Sequence, residues 1–409
     1  MKQVAIMHDI WKKTYPALIH RDFRCFWLGQ SVSLIGTWMQ ATAQQWLVYS
    51  LTKSAFLLGL LGVAQFGPML LLSLVAGVFI DRYPKKRLLL ATQFLLMFQA
   101  FLLAGLVWTE QVTYGHVLAL AFLLGMVNTV DQPARQSFVP ELVAAEHIRN
   151  AVNLNSAIVN VARMVGPALA AYCMAEFGAG MAFFLNGLSF IPVLLGISSI
   201  STRTLENRPR PQKIHREIWE GLEYVSRLAQ LRVSILAMLA VSTFVMNYNV
   251  FAPLYADHIL NAGVQGYGFV SSAIGVGALI GAVGVASFAQ GRPTLKLLIS
   301  SGLTVSGTLI ILGQINSLGL AVAVCIFLGF FHILFITTAN SLVQINAEGQ
   351  YRGRVMSIYT LAFMGTTPIG NIFVGSVIEQ VGTAHGMVIC GFSSIVLLFM
   401  AALNHKRRG

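Results

Sequence analysis

The sequence predicts an all-α membrane protein, with twelve transmembrane helices in two pseudo-symmetric six-helix bundles. Three observations lead there. Of 409 residues, 56% are hydrophobic and only 10% charged, whereas a soluble domain carries about 25% charged residues. Fifteen acids and 27 Lys and Arg are too few to coat the soluble domains a chain this long would form. Apolar stretches of about 20 residues, the length that crosses a bilayer core, recur along the whole chain. None alternates like a barrel strand of about 10 residues.

The stretches run over 26–49, 56–80, 88–108, 115–137, 152–175, 180–200, 233–256, 267–290, 295–314, 318–341, 355–378 and 385–404. Each is rich in Leu, Ile, Val, Phe, Ala and Gly. The first is too long for a signal-peptide core and no small-residue cleavage pattern follows it, so no cleavage is expected. The basic residues set the topology. All of the 27 Lys and Arg except Lys53 and Arg163 fall on one side of the predicted spans. The positive-inside rule therefore puts both termini in the cytoplasm, as an even span count requires. The net charge of +12 then reflects topology and attraction to anionic membrane lipids, and no nucleic-acid partner is needed. Cys25, Cys173, Cys325 and Cys390 sit in different spans without a C-x-x-C pattern, which argues against a metal site or a disulfide framework.

One long polar stretch, 201–232, divides the chain into an N-terminal bundle, 1–200, and a C-terminal bundle, 233–409. Its second part, from Ile214 to Leu228, puts Ile218, Leu222 and Val225 on one face and reads as an amphipathic helix on the membrane surface. The halves look alike. Ser137-Phe138-Val139-Pro140 through Gly166-Pro167 has its counterpart in Ser341-Leu342-Val343-Gln344 through Gly365-Thr366-Thr367-Pro368. Weak internal repeats of this kind mark secondary transporters.

Between spans 2 and 3 lies Gly77-Val78-Phe79-Ile80-Asp81-Arg82-Tyr83-Pro84-Lys85-Lys86-Arg87. It resembles the G-x-x-x-D-R-x-G-R-(K/R) loop of the major facilitator superfamily, with Pro84 in place of glycine and Lys85 in place of arginine. The resemblance implies the major facilitator fold. It also implies a gate latch made by Gly77, Asp81, Arg82, Lys85, Lys86 and Arg87. The second-half counterpart, Ser287 to Pro293, lacks the acid. A narrower resemblance rests on Asn128-Thr129-Val130-Asp131-Gln132-Pro133-Ala134-Arg135, on Asn160-Val161-Ala162-Arg163-Met164-Val165-Gly166-Pro167-Ala168, and on Trp38 to Trp46. These look like the enterobactin-exporter and macrolide-efflux branch, which exports siderophores and drugs, usually against a proton gradient. Gly166-Pro167 resembles the start of the G-P-x-x-G-G motif of drug antiporters and is expected to kink span 5.

Ionisable groups at membrane depth are functional candidates by default, and Asp131 and Arg163 qualify. Asp131 lies about 7 residues from the inner end of span 4 and Arg163 about 11 from that of span 5, a depth difference of roughly 6 Å. Asp131 can pair with Arg163, or with Arg135 one turn away. It is either a proton-coupling carboxylate or half of a structural ion pair, and His332 is the next proton candidate. The resemblance implies a cavity lined by spans 1, 4, 7 and 10. Candidates there are Gln40, Gln44, Asn128, Phe244, Asn247, Tyr248, Phe331, Phe335 and Asn340.

The chain carries no H-E-x-x-H, G-x-x-x-x-G-K-(S/T) or G-x-S-x-G, so neither an enzyme nor an ATP-driven pump is expected. The expectation is a multi-pass protein of the bacterial cytoplasmic membrane that exports a small amphipathic molecule by proton antiport. Its energy source is the proton gradient, with no cofactor. A periplasmic or outer-membrane export partner is left open. The alternatives are an uptake carrier and a non-transporting sensor or assembly partner.

Overall fold

The computed structural model describes residues 14–201, 214–288, 293–349 and 351–408, and their elements are helical. Spans 1 to 6 are Arg21–Thr52, Ala55–Arg82, Lys85–Trp108, Tyr114–Phe138, Ile148–Phe177 and Ala179–Ser198. A surface helix, Ile214–Arg227, leads into the second half. Span 7 is Ala229–Phe244 followed by Tyr248–His258, and spans 8, 9 and 10 are Gly263–Phe288, Leu295–Leu312 and Leu318–Asn346. Span 11 joins Arg352–Thr360, a π-helical turn Leu361–Gly365 and Thr367–Val381, and span 12 is Thr383–Arg408.

Eleven of these segments are long and apolar enough to cross a membrane. Span 1, with 32 residues, is long enough but more polar. Its buried Gln30, Gln40 and Gln44 turn into the bundle instead of facing lipid, and Gln40 and Gln44 hydrogen-bond there. The halves repeat one packing scheme. Span 1 packs on span 6, span 3 on spans 4 and 6, and span 2 on span 4. Span 7 packs likewise on span 12, span 9 on spans 10 and 12, and span 8 on span 10. The halves meet along two seams, span 2 against span 11 and span 5 against span 8. Those seams exchange under the two-fold that maps each span onto the one six later. The first-half spans are continuous helices, including span 5 through Gly166-Pro167.

Small residues bring the seams close. A Cβ on Gly59 would stand 2.4 Å from the Asn371 carbonyl oxygen, and one on Gly375 2.6 Å from that of Ala55. On the other seam, a Cβ on Gly275 would stand 2.7 Å from the Met164 Cα. Without a hydrophobic drive between helices in lipid, such close contact supplies much of the association. The linker residues 202–213 lie outside the described residues. The surface helix that follows them is tied to span 11 by Arg354, which donates to Glu220 at 2.8 Å, and by stacked Tyr224 and Tyr351.

Candidate functional site

Thr14 and Arg408, at the two ends of the described chain, lie on one face of the twelve-span bundle, and the described hydrogen bonds between the halves lie toward the opposite face. There Tyr49 donates to Asp257 and bonds His258, and Lys53 pairs with Asp257. Tyr267 donates to Gln45. The Glu379 carboxylate accepts from the Ser54 hydroxyl and from the backbone N–H groups of Ala55 and Phe56. A carboxylate of one half thus caps the span 2 helix of the other, against the positive end of its dipole.

Span 5 records where this closure ends. The i+3 and i+4 spacing puts Val152, Ser156, Arg163, Pro167, Ala170 and Met174 along one stripe. From Gly166 through Met174 that stripe is buried, with Gly166 on Trp38 of span 1 and Ala171 on Gly268 of span 8. From Val152 to Ala157 its residues are largely exposed. Arg163 sits at the change. Pro167 has no N–H to give the Arg163 carbonyl, and that carbonyl abuts Gly275. Along span 5 the halves are therefore in close contact from Arg163 to the far end, and the stripe is exposed toward the other end.

At the level of that change two contacting pairs, Arg163 with Trp38 in one half and Tyr248 with His332 in the other, lie within electrostatic reach of each other. The Arg163 guanidinium lies over Trp38, 5.2 Å from the ring centroid. It is within electrostatic reach of Tyr248 in span 7 and His332 in span 10. The Tyr248 and His332 rings meet edge to face at 5.3 Å. Arg163 Nε, the Tyr248 hydroxyl and His332 Nε2 are buried without a hydrogen-bond partner, as is the Ser272 hydroxyl of span 8. Arg163, Tyr248 and His332, on three spans of the two halves, thus keep polar atoms that the described protein groups do not use. The sequence marks Arg163, Tyr248 and His332 separately but gives Trp38 no part in the site.

Asp131 is elsewhere and fully engaged. It is buried and accepts from Thr92 at 2.7 Å, from Gln93 at 2.7 Å and from Arg135. Of the two partners the sequence leaves open, the structure selects Arg135. The one-turn spacing favours that pair, and Arg163 turns toward the other half.

Four of the cavity candidates are corrected by burial. Gln40 donates to Gln99 and accepts from Asn186, joining spans 1, 3 and 6. Gln44 donates to the Val117 carbonyl and accepts from Gln65. Phe335 is packed in the core against Gly302. Asn247 lies in the break of span 7, where its amide donates to the Thr243 carbonyl that the broken helix leaves free. These side chains hold helices together and do not line a cavity. Asn128, Phe244, Phe331 and Asn340 are half-buried. Phe244 is edge-on to Phe373, Phe331 packs on Phe327 and Phe330, and Asn340 accepts from Gln344.

Gly77 and the Asp81 side chain of the loop lie outside the described residues. Lys85 pairs with Glu141 and donates to the Ser137 carbonyl, while Lys86 donates to the carbonyls of Ser198 and Ile200. Both lysines therefore bind the carbonyl ends of spans 4 and 6 in their own half, where the helix dipole favours a cation. They do not bridge the halves here. Arg82 and Arg87 are exposed.

A family model described as "Transmembrane secretion effector" matches residues 12–408. The Staphyloferrin A transporter of Staphylococcus aureus is 24% identical, over 93% of this chain and 96% of that protein. Macrolide efflux protein A of Streptococcus pyogenes is 22% identical, over 94% and 96%. Multidrug efflux pump Tap of Mycobacterium tuberculosis is 26% identical, over 87% and 84%. Among solved structures, the nucleoside transporter NupG superposes with a TM-score of 0.76 at 10% identity, covering 93% of this chain and 98% of its own. A bacterial homolog of the lysosomal transporter Spinster, inward-facing and unoccupied, gives 0.71 at 12%, over 94% and 96%.

Proposed function

Because the chain belongs to the transmembrane secretion effector family of the major facilitator superfamily, we propose that it exports small amphipathic molecules, drug- or siderophore-like, from the bacterial cytoplasm by proton antiport. The side rich in Lys and Arg, with both chain ends, is cytoplasmic, and the conformation described is the inward-open one. The single observation that carries this reading is the change of exposure along span 5 at Arg163, beside orphaned polar groups from both halves. A site at the apex of a one-sided opening, built by two rigid bundles, is what alternating access requires. The macrolide and multidrug efflux relatives support the outward direction.

In this reading Asp131 stays in its own half, bonded to Arg135, Thr92 and Gln93, and ties span 4 to span 3. The test is transport by the purified protein in liposomes under an imposed pH gradient, with the membrane potential clamped. The expected result is movement of an amphipathic dye against its gradient, abolished by a protonophore. Dye movement that ignores the pH gradient removes the antiport claim. No movement of any dye in a panel of cationic, neutral and anionic probes removes the exporter claim.

A further inference from the structure

Arg163 is a cation in search of a counter-charge. It makes no described hydrogen bond, and no described carboxylate lies within ion-pair distance of it. The described acid at comparable depth, Asp131, is held by Arg135. Asp257 and Glu379 belong to the clasp on the far side. Glu110 and Glu176 stand at span ends, and Glu141 is held by Lys85. An arginine at membrane depth is retained where it has a partner or a task. Stacking on Trp38 gives the cation an aromatic face but no counter-charge. No described carboxylate of the protein compensates the charge.

The groups around it are matched to one kind of ligand. A guanidinium presents parallel N–H donors that fit a carboxylate with two bonds. The Tyr248 hydroxyl can donate a third bond from the opposite half, and His332 can donate a fourth through a ring N–H. Trp38 supplies an aromatic face to the guanidinium, and the Tyr248 and His332 rings supply another from the opposite half. A flat apolar body with one acidic group meets all of these at once. We propose that Arg163, Trp38, Tyr248 and His332 form an anion subsite that takes a carboxylate of the transported molecule. The proposal rests on the transport reading and narrows it, from any amphipathic molecule to those with an acidic group. Because Arg163 belongs to one half and Tyr248 and His332 to the other, the bound carboxylate bridges the bundles where they part.

The test measures binding without any gradient. The protein in phosphatidylcholine nanodiscs, which hold no anionic headgroups, is titrated calorimetrically with three aromatic carboxylates, 2-naphthoate among them, and with their neutral amides. The expected result is a preference for carboxylate over amide of about ten-fold, worth about 1.4 kcal/mol. Arg163→Met should bring the ratio to within about two-fold by weakening the carboxylates far more than the amides. Arg163→Lys, which keeps the charge but loses the fork, should hold a ratio above that of the Met variant. If Arg163→Met fails to fold, Tyr248→Phe removes a single donor and should weaken the carboxylates alone by about five-fold. Wild-type protein that binds both members of each pair alike overturns the proposal, as does an undiminished carboxylate preference in Arg163→Met, or in Tyr248→Phe where that variant stands in. A chain that shows the preference but moves nothing in liposomes refutes the export reading and leaves the subsite standing.

Discussion

Asp131 and Arg163 are both charges placed inside the membrane bundle, and their surroundings give them opposite characters. Both Asp131 carboxylate oxygens accept hydrogen bonds from within its own half. Replacing it with Asn removes the charge that neutralises Arg135 and turns an amide N–H₂ toward donors. Breaking a buried pair from one side costs about 3 kcal/mol. Asp131→Asn is therefore expected to lower the melting temperature in detergent markedly, and Arg135→Gln to do the same by a similar amount. A stable Asp131→Asn protein that lost only pH-driven efflux, with substrate exchange intact, would make Asp131 the coupling carboxylate after all. The two residues themselves were legible in the sequence, because lipid makes any charge within an apolar run conspicuous. Their partners were not. A polar side chain in a span is equally at home between helices or on a cavity wall, and composition does not say which way it turns. Gln40, Gln44 and Asn247 went to the helix contacts. Thr92, Gln93 and Gln99 in span 3 were the available sign of a polar network inside the first bundle.

At the scale of elements, apolar run length fixed the spans and the polar linker fixed the halves, since a bilayer tolerates few other patterns. Interruptions within spans were harder to read. Span 7 breaks at Val245 to Asn247 and span 11 carries a π-helical turn, and the two defects touch. Ser242 donates to the Ala362 carbonyl at 2.9 Å and bonds Thr366 at 2.7 Å. Such defects persist where neighbouring side chains satisfy the freed backbone. The clasp is also an element-scale device. Glu379 accepts from three donors at the start of span 2, and an N-terminal cap is worth about 1 kcal/mol, or roughly a five-fold population change. Glu379→Ala should shift the protein toward the state open on that side. Spin labels at Thr52→Cys and Val381→Cys should then report a longer or broader distance distribution, and an unchanged distribution would remove the cap from the gate. Gly275 tests the other seam. Gly275→Ala puts a methyl against the span 5 backbone, so it should slow transport at normal abundance. Wild-type turnover would mean that the seam yields freely.

For the whole molecule, rigid-body rocking makes a prediction about every residue on one stripe of span 5. In the state described, Val152, Asn153, Ser156 and Ala157 are exposed, and Ala170, Ala171 and Met174 are buried against the neighbouring spans. If the halves pivot near Arg163, closing the cytoplasmic side must bury the first group and release the second. Single cysteines at Ser156 and Ala171, in a background with the four native cysteines replaced by alanine, distinguish the two states. In inverted vesicles a membrane-impermeant thiol reagent should label Ser156→Cys quickly and Ala171→Cys slowly. Adding Glu379→Ala weakens the far-side clasp, so labelling of Ser156→Cys should slow. In right-side-out cells the same addition should speed labelling of Ala171→Cys. The opposite signs are the essential point, because local loosening would raise both rates together. The experiment also checks orientation, since reagent reaching Ser156→Cys only from outside intact cells would invert the topology. If both positions change in the same direction, the bundles do not pivot about Arg163, and the subsite there cannot be the point at which access alternates.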